Sequence, residues 1–501
     1  MPTSEHMDNA ISLGIDLGTS ELKTVLMDSK GSIRAQASVR LGVSRPQAGW
    51  SEQDPQDWWA ACVQALSQLR AAHPQDYAAI RCIGLSGQMH GAVLLDKHDQ
   101  CIRPAILWND ARAHVEAAAL AHDHPAFALV TGSLAMAGLT APKLLWLQEH
   151  EPQAFAAIAC VLSPKDYLRL QLTGQSITDM SDAAGTLWLN IAERAWYGPM
   201  LAASGLRPDQ MPPLVEGDAA TGLVHAVGTE LLGLPAGVIV AGGGGDNPVS
   251  AVGIGAVSAG DSFISLGTSA AIVSVTEQPL GNPAAGVHSF CHALPGRWYA
   301  MGAILSGASC LRWATGVLGM PNEAALLALV ESALPLVQGV PSSAPLFLPY
   351  LSGERTPHND PQVRGAFLQL GHDSNTAQLG YAVLEGVAFA LRDAMAAVTS
   401  TGATVTHCLL VGGGARSQYW AQLLANVLGV EMRTLHDSEL SASIGAAKLG
   451  FAAIGERSVL ETGLAIKNTF APDAAQHAAL QVRYQKYRSL FPAVQALHQA
   501  A

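Results

Sequence analysis

Ile15-Asp16-Leu17-Gly18-Thr19-Ser20 returns half a chain later as Ile264-Ser265-Leu266-Gly267-Thr268-Ser269, matching at five of six positions. In each copy an apolar, β-prone run leads in and another leads out. Each copy therefore reads as a hairpin whose tip offers backbone N–H groups and hydroxyls. Two halves that open on the same hairpin predict a duplicated α/β domain with a nucleotide's phosphates in the cleft between the copies. The plainer alternative is a pair of ordinary polar turns. Only the first copy carries an acid, Asp16, as expected if one half must hold a cation.

Near the midpoint, the apolar run Ala236 to Val240 reads as a buried strand. It leads through Gly242, Gly243, Gly244 and Gly245 into Asp246 and Asn247. Glycines let the backbone bend freely or approach a ligand closely. Asp246 at the end of such a strand is a candidate general base, and the competing reading is a turn whose acid caps the next helix. Later, Val405 to Val411 runs as a strand into Gly412-Gly413-Gly414-Ala415-Arg416-Ser417. A helix follows, with Tyr419, Trp420, Leu423, Leu424 and Val427 at helical spacing. Strand, glycine turn and helix N-terminus suit the phosphates or ribose of a nucleotide, or form a plain strand-to-helix connection.

The stretches between carry weaker signals. Asp54-Pro55 marks a helix start, and the apolar face from Trp58 to Leu69 is core. Arg81 to Asp96 reads as strand, loop and strand. Glycines flank Gln88-Met89-His90, so these side chains either reach a ligand or are simply solvated. Trp108-Asn109-Asp110-Ala111-Arg112 suits a sugar face or a salt bridge equally. Thr140 to Trp146 opens a structural helix, and Asp179 to Thr186 reads as a polar loop without a clear duty. His288, Cys291 and His292 have metal-like spacing but lack a second cluster, so zinc is not expected. Leu351 to Pro357 is a loop, and Thr376 to Val398 a long buried helix whose Glu385 is a structural partner. Ser441 to Phe451 is a small-residue helix that lets a flat base approach. The tail after Glu456 reads as helical.

Composition narrows the class. A chain of 501 residues exceeds one core and predicts two domains. Its net charge of −12 offers no basic footprint for nucleic acid. Seven scattered cysteines without a C-x-x-C pair suit a reducing cytoplasm. Glu5 and Asp8 interrupt the N-terminus, so no signal peptide is expected. Four prolines break the uncharged stretch Ser332 to Gly353, so no membrane helix is expected there. There is no Walker P-loop and no G-x-G-x-x-G.

Asp16-x-Gly18-Thr19-Ser20, Gly267-Thr268-Ser269, Gly243-Gly244-Gly245-Asp246-Asn247 and Gly412-Gly413-Gly414-Ala415-Arg416-Ser417 together resemble the FGGY carbohydrate kinases, of the actin, Hsp70 and hexokinase superfamily. The likeness runs from about residue 11 to 450. Trp50 to Pro55, Gly87 to Gly91, Leu107 to Asp110, Pro164 to Arg169, Asp179 to Thr186 and Leu351 to His358 carry it further. The resemblance implies two ribonuclease-H-like α/β domains, residues 1–255 and 256–501, flanking a deep catalytic cleft. It implies transfer of the ATP γ-phosphoryl group to D-xylulose. Kinases of another ketose, polyol or sugar acid are the alternative, and a nucleotide-switched binding protein is the third reading. Carried over residue by residue, Asp246 is the base, while Met89, His90, Asp246 and Asn247 line the sugar. Asp16 places Mg²⁺, Thr19, Ser20, Gly267 and Thr268 cradle phosphates, and Gly413, Gly414 and Ser417 lie near the adenosine. The implied partners are the sugar and ATP, without nucleic acid or membrane, with a homodimer left open. Glu21, Pro248 and Leu440-Ser441-Ala442-Ser443-Ile444 depart from the family pattern, which bears on nucleotide affinity.

Overall fold

The computed structural model describes residues 9–499, so the expectation drawn from Glu5 and Asp8 lies outside the described residues. The first sheet uses β1 (Ile11–Leu17), β2 (Glu21–Asp28), β3 (Ile33–Arg40), β4 (Ile80–Gly87), β5 (Ala220–Leu223), β6 (Ile239–Ala241) and β7 (Gly244–Gly245). Its order is β5-β6-β4-β1-β2-β3, with β7 continuing beside β4. The second sheet uses β8 (Ser262–Leu266), β9 (Ala270–Thr276), β10 (Val287–Cys291), β11 (Trp298–Ile304), β12 (His407–Val411), β13 (Glu431–Leu435) and β14 (Ile466–Phe470), in the order β10-β11-β9-β8-β12-β13-β14.

The two sheets share one plan. In each, an antiparallel meander begins at the hairpin motif, and its first strand pairs in parallel with a later strand, β1 with β4 and β8 with β12. An antiparallel edge strand closes the far side, β5 in one and β14 in the other. The tail after Glu456 is therefore not wholly helical, because β14 lies within it. Helices cover both faces, which is why β1 is almost continuously apolar and buried.

Helix α1 (Pro55–Ala72) starts at Asp54, whose carboxylate accepts from the Gln56 amide, and Pro55 occupies the first turn. Its Trp58, Cys62, Leu66 and Leu69 join Leu13, Ile15 and Leu85 in the core of the first lobe. Helices α2 (Pro164–Thr173), α3 (Met180–Ala184) and α4 (Asp246–Ile254) surround the far end of that sheet. The second lobe is built around α5 (Ala308–Val317), α6 (Glu323–Ala333), α7 (Thr376–Ser400) and α8 (Gln418–Leu428). Asn375 and Gln378 cap α7 reciprocally, and most of its length is buried. None of the helices among the described residues is long and apolar enough to cross a membrane.

One helix changes lobes. The second-half helix α9 (Ser441–Ala453) packs on the first sheet, with Ile444, Ala447 and Phe451 against Val25, Met27 and Cys82. A Cβ on Gly84 would overlap the Ala446 carbonyl, so the small residues in the middle of α9 admit a strand, while Ser441 at its start lines the cavity beside Asn247. Lys448, also on α9, donates to the Val252 and Gly253 carbonyls at the end of α4 at 3.0 and 2.9 Å.

Candidate active site

Parallel strands deliver their carboxyl ends to one place, where ligands bind in open α/β sheets. Across β1, β4 and β7, Asp16 pairs with Ser86 and Ser86 with Gly244. The ends of these strands therefore bring Asp16, the Gln88-Met89-His90 loop and Asp246 together. The glycine run departs from a plain strand between β6 and β7. Val240 pairs with Ile83 but Gly244 with Ser86, which leaves one extra residue on the glycine strand. Gly243, with φ of 67°, takes up this bulge. Bulges of this kind re-aim the side chain that follows, and here α4 begins at Asp246. The Asp246 carboxylate accepts from the Asn247 amide at 2.7 Å and does not cap the helix, whose N-cap is Gly245.

Asp246 keeps part of its surface open to solvent while protein surrounds it on its other sides. Burial, reinforced by repulsion from Asp16, pushes its carboxyl up to about 7. Burial also raises Asp16, although Ser86 Oγ donates to its Oδ1 at 2.9 Å. A carboxylate at a strand end, such as Asp16, suits a hard divalent cation. Mg²⁺ commonly takes only one or two carboxylates, the remainder of its shell coming from water and phosphate.

His90 has a φ of 67° and is clamped from three directions. Its Nδ1 lies 2.7 Å from the Gly185 carbonyl, and its own carbonyl accepts from Lys143 Nζ at 2.6 Å and Thr140 Oγ1 at 3.2 Å. Burial pulls the imidazole down to about 4, so the ring is neutral at pH 7. With Nδ1–H donated to Gly185, Nε2 is left as an acceptor for a hydroxyl. Met89 is buried and packs over Gly245, forming floor rather than surface. Asn247 is exposed beside a cavity of about 760 Å³ that reaches Ser265, Gly412 and Gly413 of the second lobe.

At the first hairpin, Thr19 Oγ1 donates to Gln88 Oε1 and accepts from Trp108 Nε1, both at 3.0 Å. Ser20 is exposed. Glu21 pairs with Lys23 at 3.1 Å. In the second lobe, Gly267, Thr268, Gly413, Gly414 and Ser417 line one cavity of about 850 Å³, walled by α5 and α6. The carbonyls of Gly267 and Thr268 accept from the Ala308 and Ser309 amides, tying the hairpin to α5. Ser417 Oγ caps α8 through the Trp420 amide, so it serves the helix as well as the cavity.

Several readings change. Trp108 is half-exposed, while Arg112 forks onto Asp110, touches Glu52 at 2.7 Å and lies 3.6 Å over the Trp50 ring. Asp110 and Arg112 therefore form a salt-bridge node, while the half-exposed Trp108 ring stays beside the first hairpin. Asp179 to Thr186 is not a polar loop. It contains α3, with Asp179, Ser181 and Asp182 fully buried. His288 Nδ1 meets Ser133 Oγ, and His292 Nε2 meets the Ala256 carbonyl; with Cys291 they form no metal-holding group among the described residues. Lys143 and Lys165 escaped notice because lysines inside apolar or mixed segments read as surface residues until the burial is seen.

Residues 11–253 match the FGGY family of carbohydrate kinases, N-terminal domain, and residues 262–454 its C-terminal domain. The chain is 46% identical over 484 residues to the xylulose kinase of Escherichia coli (strain K12), covering 96% of this chain and 98% of that one. It is 44% identical over 483 residues to the xylulose kinase of Klebsiella pneumoniae, covering 96% and 97%. The crystal structure of a xyloylose kinase from Brucella ovis superposes with a TM-score of 0.94 at 46% identity, over 97% of this chain and 100% of that one. Duplicated sheets, two acids brought together at the strand ends and full-length likeness converge, and the chain belongs to the FGGY family of carbohydrate kinases.

Proposed function

We propose that this kinase transfers the γ-phosphoryl group of ATP to D-xylulose, giving D-xylulose 5-phosphate and ADP. The observation that carries the substrate is the likeness, over 96% of the chain, to two proteins named xylulose kinase. The sugar 5-hydroxyl oxygen attacks the γ-phosphorus, the bond from that phosphorus to the β–γ bridging oxygen breaks, and the hydroxyl proton passes to Asp246. The raised affinity of Asp246 for a proton suits this role, since a general base works best with a pKa near the working pH. Neutral His90 and Asn247 hold sugar hydroxyls, and Met89 supports them from below. Thr19, Ser20, Gly267 and Thr268 cradle phosphates, and Gly413, Gly414 and Ser417 hold the adenosine side. Asp16 would hold Mg²⁺, which supplies charge neutralisation at the phosphates. We place the lobe boundary at 255/256, between the last strand of the first sheet and the first of the second, and the protein in the cytoplasm, where its seven free cysteines stay reduced.

The test is an ADP-release assay over D-xylulose, D-ribulose, glycerol and D-gluconate. D-Xylulose is expected to give the highest kcat/KM; a preference for any other sugar would replace it as the substrate. His90→Ala is expected to weaken sugar binding by about 1–3 kcal/mol, the cost of one buried hydrogen-bond partner, with the KM for ATP unchanged. An unaltered KM for sugar at normal turnover would remove this loop from the site.

A further inference from the structure

Behind the glycine run lies a fully buried cluster of charge that the reaction does not touch. Lys165 Nζ lies 2.5 Å from Asp166, 2.8 Å from Asp179 and 3.3 Å from Asp182, and all four side chains are fully buried. Arg169, one turn further along α2, is buried too. It donates to Thr221 Oγ1 and the Ala241 carbonyl at 2.7 Å each, and also to the Gly242 carbonyl. Those two carbonyls lie where the bulge departs from the ladder, so the guanidinium fills the role of the missing strand partner.

The cluster reaches the reacting groups through α3. At the start of this helix, Asp179 accepts from the Ser181 amide at 2.7 Å and from Ser181 Oγ. Ser181 Oγ in turn accepts from the Gly245 amide at 3.2 Å, in the Gly244–Gly245 peptide one residue before Asp246. At the far end, the Gly185 carbonyl takes the His90 ring at 2.7 Å. Along its length, Ala183 and Ala184 pack in one cluster with Phe290 and Tyr299 of the second lobe. A five-residue helix thus holds the base at one end and the sugar-binding imidazole at the other, and a single lysine anchors it.

A merely structural ion cluster is a poor source of net stability, because desolvating several charges offsets their attraction. Burial pushes the Asp182 carboxyl well above the usual carboxylate range. A cluster of this kind does, however, hold geometry tightly, and misplacing a reacting group by about 1 Å costs on the order of 10²-fold in rate.

We propose that Lys165, Asp179 and Ser181 are positioning residues that act through α3 to fix the Gly244–Gly245 peptide, and with it the start of α4 at Asp246, and the His90 ring in one frame. The proposal rests on the assignment of Asp246 as base and His90 as sugar ligand. Ser181→Ala removes the hydroxyl that receives the Gly245 amide and donates to Asp179. It is expected to lower kcat of the folded enzyme about tenfold or more, with the KM for ATP unchanged and only a modest fall in Tm. Lys165→Met frees Asp179 at the start of α3 and Asp182 in its middle and is expected to lower kcat and also raise the KM for sugar at least fivefold, again with the KM for ATP unchanged. A structural role alone would lower Tm or the fraction of active enzyme and leave both KM values where they were. Asp246→Asn is measured beside them with the best sugar of the panel. A fully active Ser181→Ala beside an inactive Asp246→Asn overturns the positioning role alone. A fully active Asp246→Asn overturns the base assignment and this proposal with it. Should Lys165→Met fail to fold, Ser181→Ala decides the matter by itself.

Discussion

Asp246→Asn is expected to lose most of its turnover, on the order of 10²–10⁴-fold, while binding sugar and ATP as before. The two acids at the strand ends differ in what surrounds them. Asp16 sits where β1 enters a hairpin, takes a hydrogen bond from Ser86 and faces the side where phosphates are proposed to lie. Asp246 follows the bulge and stands beside Asn247, an amide suited to a sugar hydroxyl. Asp16→Asn should therefore raise the Mg²⁺ requirement and recover in part as the metal is titrated, whereas excess Mg²⁺ should leave Asp246→Asn unchanged. Calorimetry of sugar and ATP binding, with the metal dependence of turnover, separates the two. Normal turnover in Asp246→Asn would send the search for the base elsewhere.

The pH profile follows from the same pair. A base must be ionised to accept the proton, and burial with Asp16 nearby holds Asp246 at about 7. The ionised fraction rises with pH, so kcat/KM for the sugar should climb with pH toward about 7 and level off above it, the rise moving to lower pH as Mg²⁺ at Asp16 offsets the repulsion. Sugar contacts through His90 should not change over this range, because that ring is already neutral above about 4.

Glu385→Ala is expected to destabilise the second lobe by about 3–5 kcal/mol, the usual cost of stranding one partner of a buried ion pair. Glu385, in the middle of α7, is fully buried and receives both Arg483 Nε and a terminal nitrogen at 2.6 Å. Arg483 comes from α10 (Ala474–Arg488), in the C-terminal tail. This pair, rather than apolar packing alone, ties the tail to the core. Replacing both members, Glu385→Leu with Arg483→Met, should return most of the loss, because no charge is then left buried. Thermal unfolding of the single and double variants measures both effects. A single variant that melts with the parent would mean the guanidinium finds water instead.

The lobe plan was legible because a repeated hairpin leaves a local signature: alternating apolar runs around Gly-Thr-Ser write the same strand–turn–strand twice. Asp246 and the Gly412–Ser417 turn were legible for a similar reason, since each glycine turn directly follows an apolar strand. The helix start at Asp54-Pro55 likewise depends on residues within one turn of each other.

What escaped the sequence was every relation formed between distant segments. Asp179 and Asp182 read as loop acids, since nothing nearby in sequence announces that Lys165 will bury them. Trp108 and Arg112 were compatible with a sugar, and only the arrival of Glu52 and Trp50 made Asp110 and Arg112 a salt-bridge node. The small residues in the middle of α9 were open to any flat surface until Gly84 of the first sheet took the place. By itself, then, the sequence determined the two hairpins, the glycine turns and the acids that follow or precede them, because backbone conformation answers to neighbouring residues. The tertiary structure alone decided which buried charges meet and which helix crosses between lobes, because desolvation and pairing depend on groups far apart in the chain.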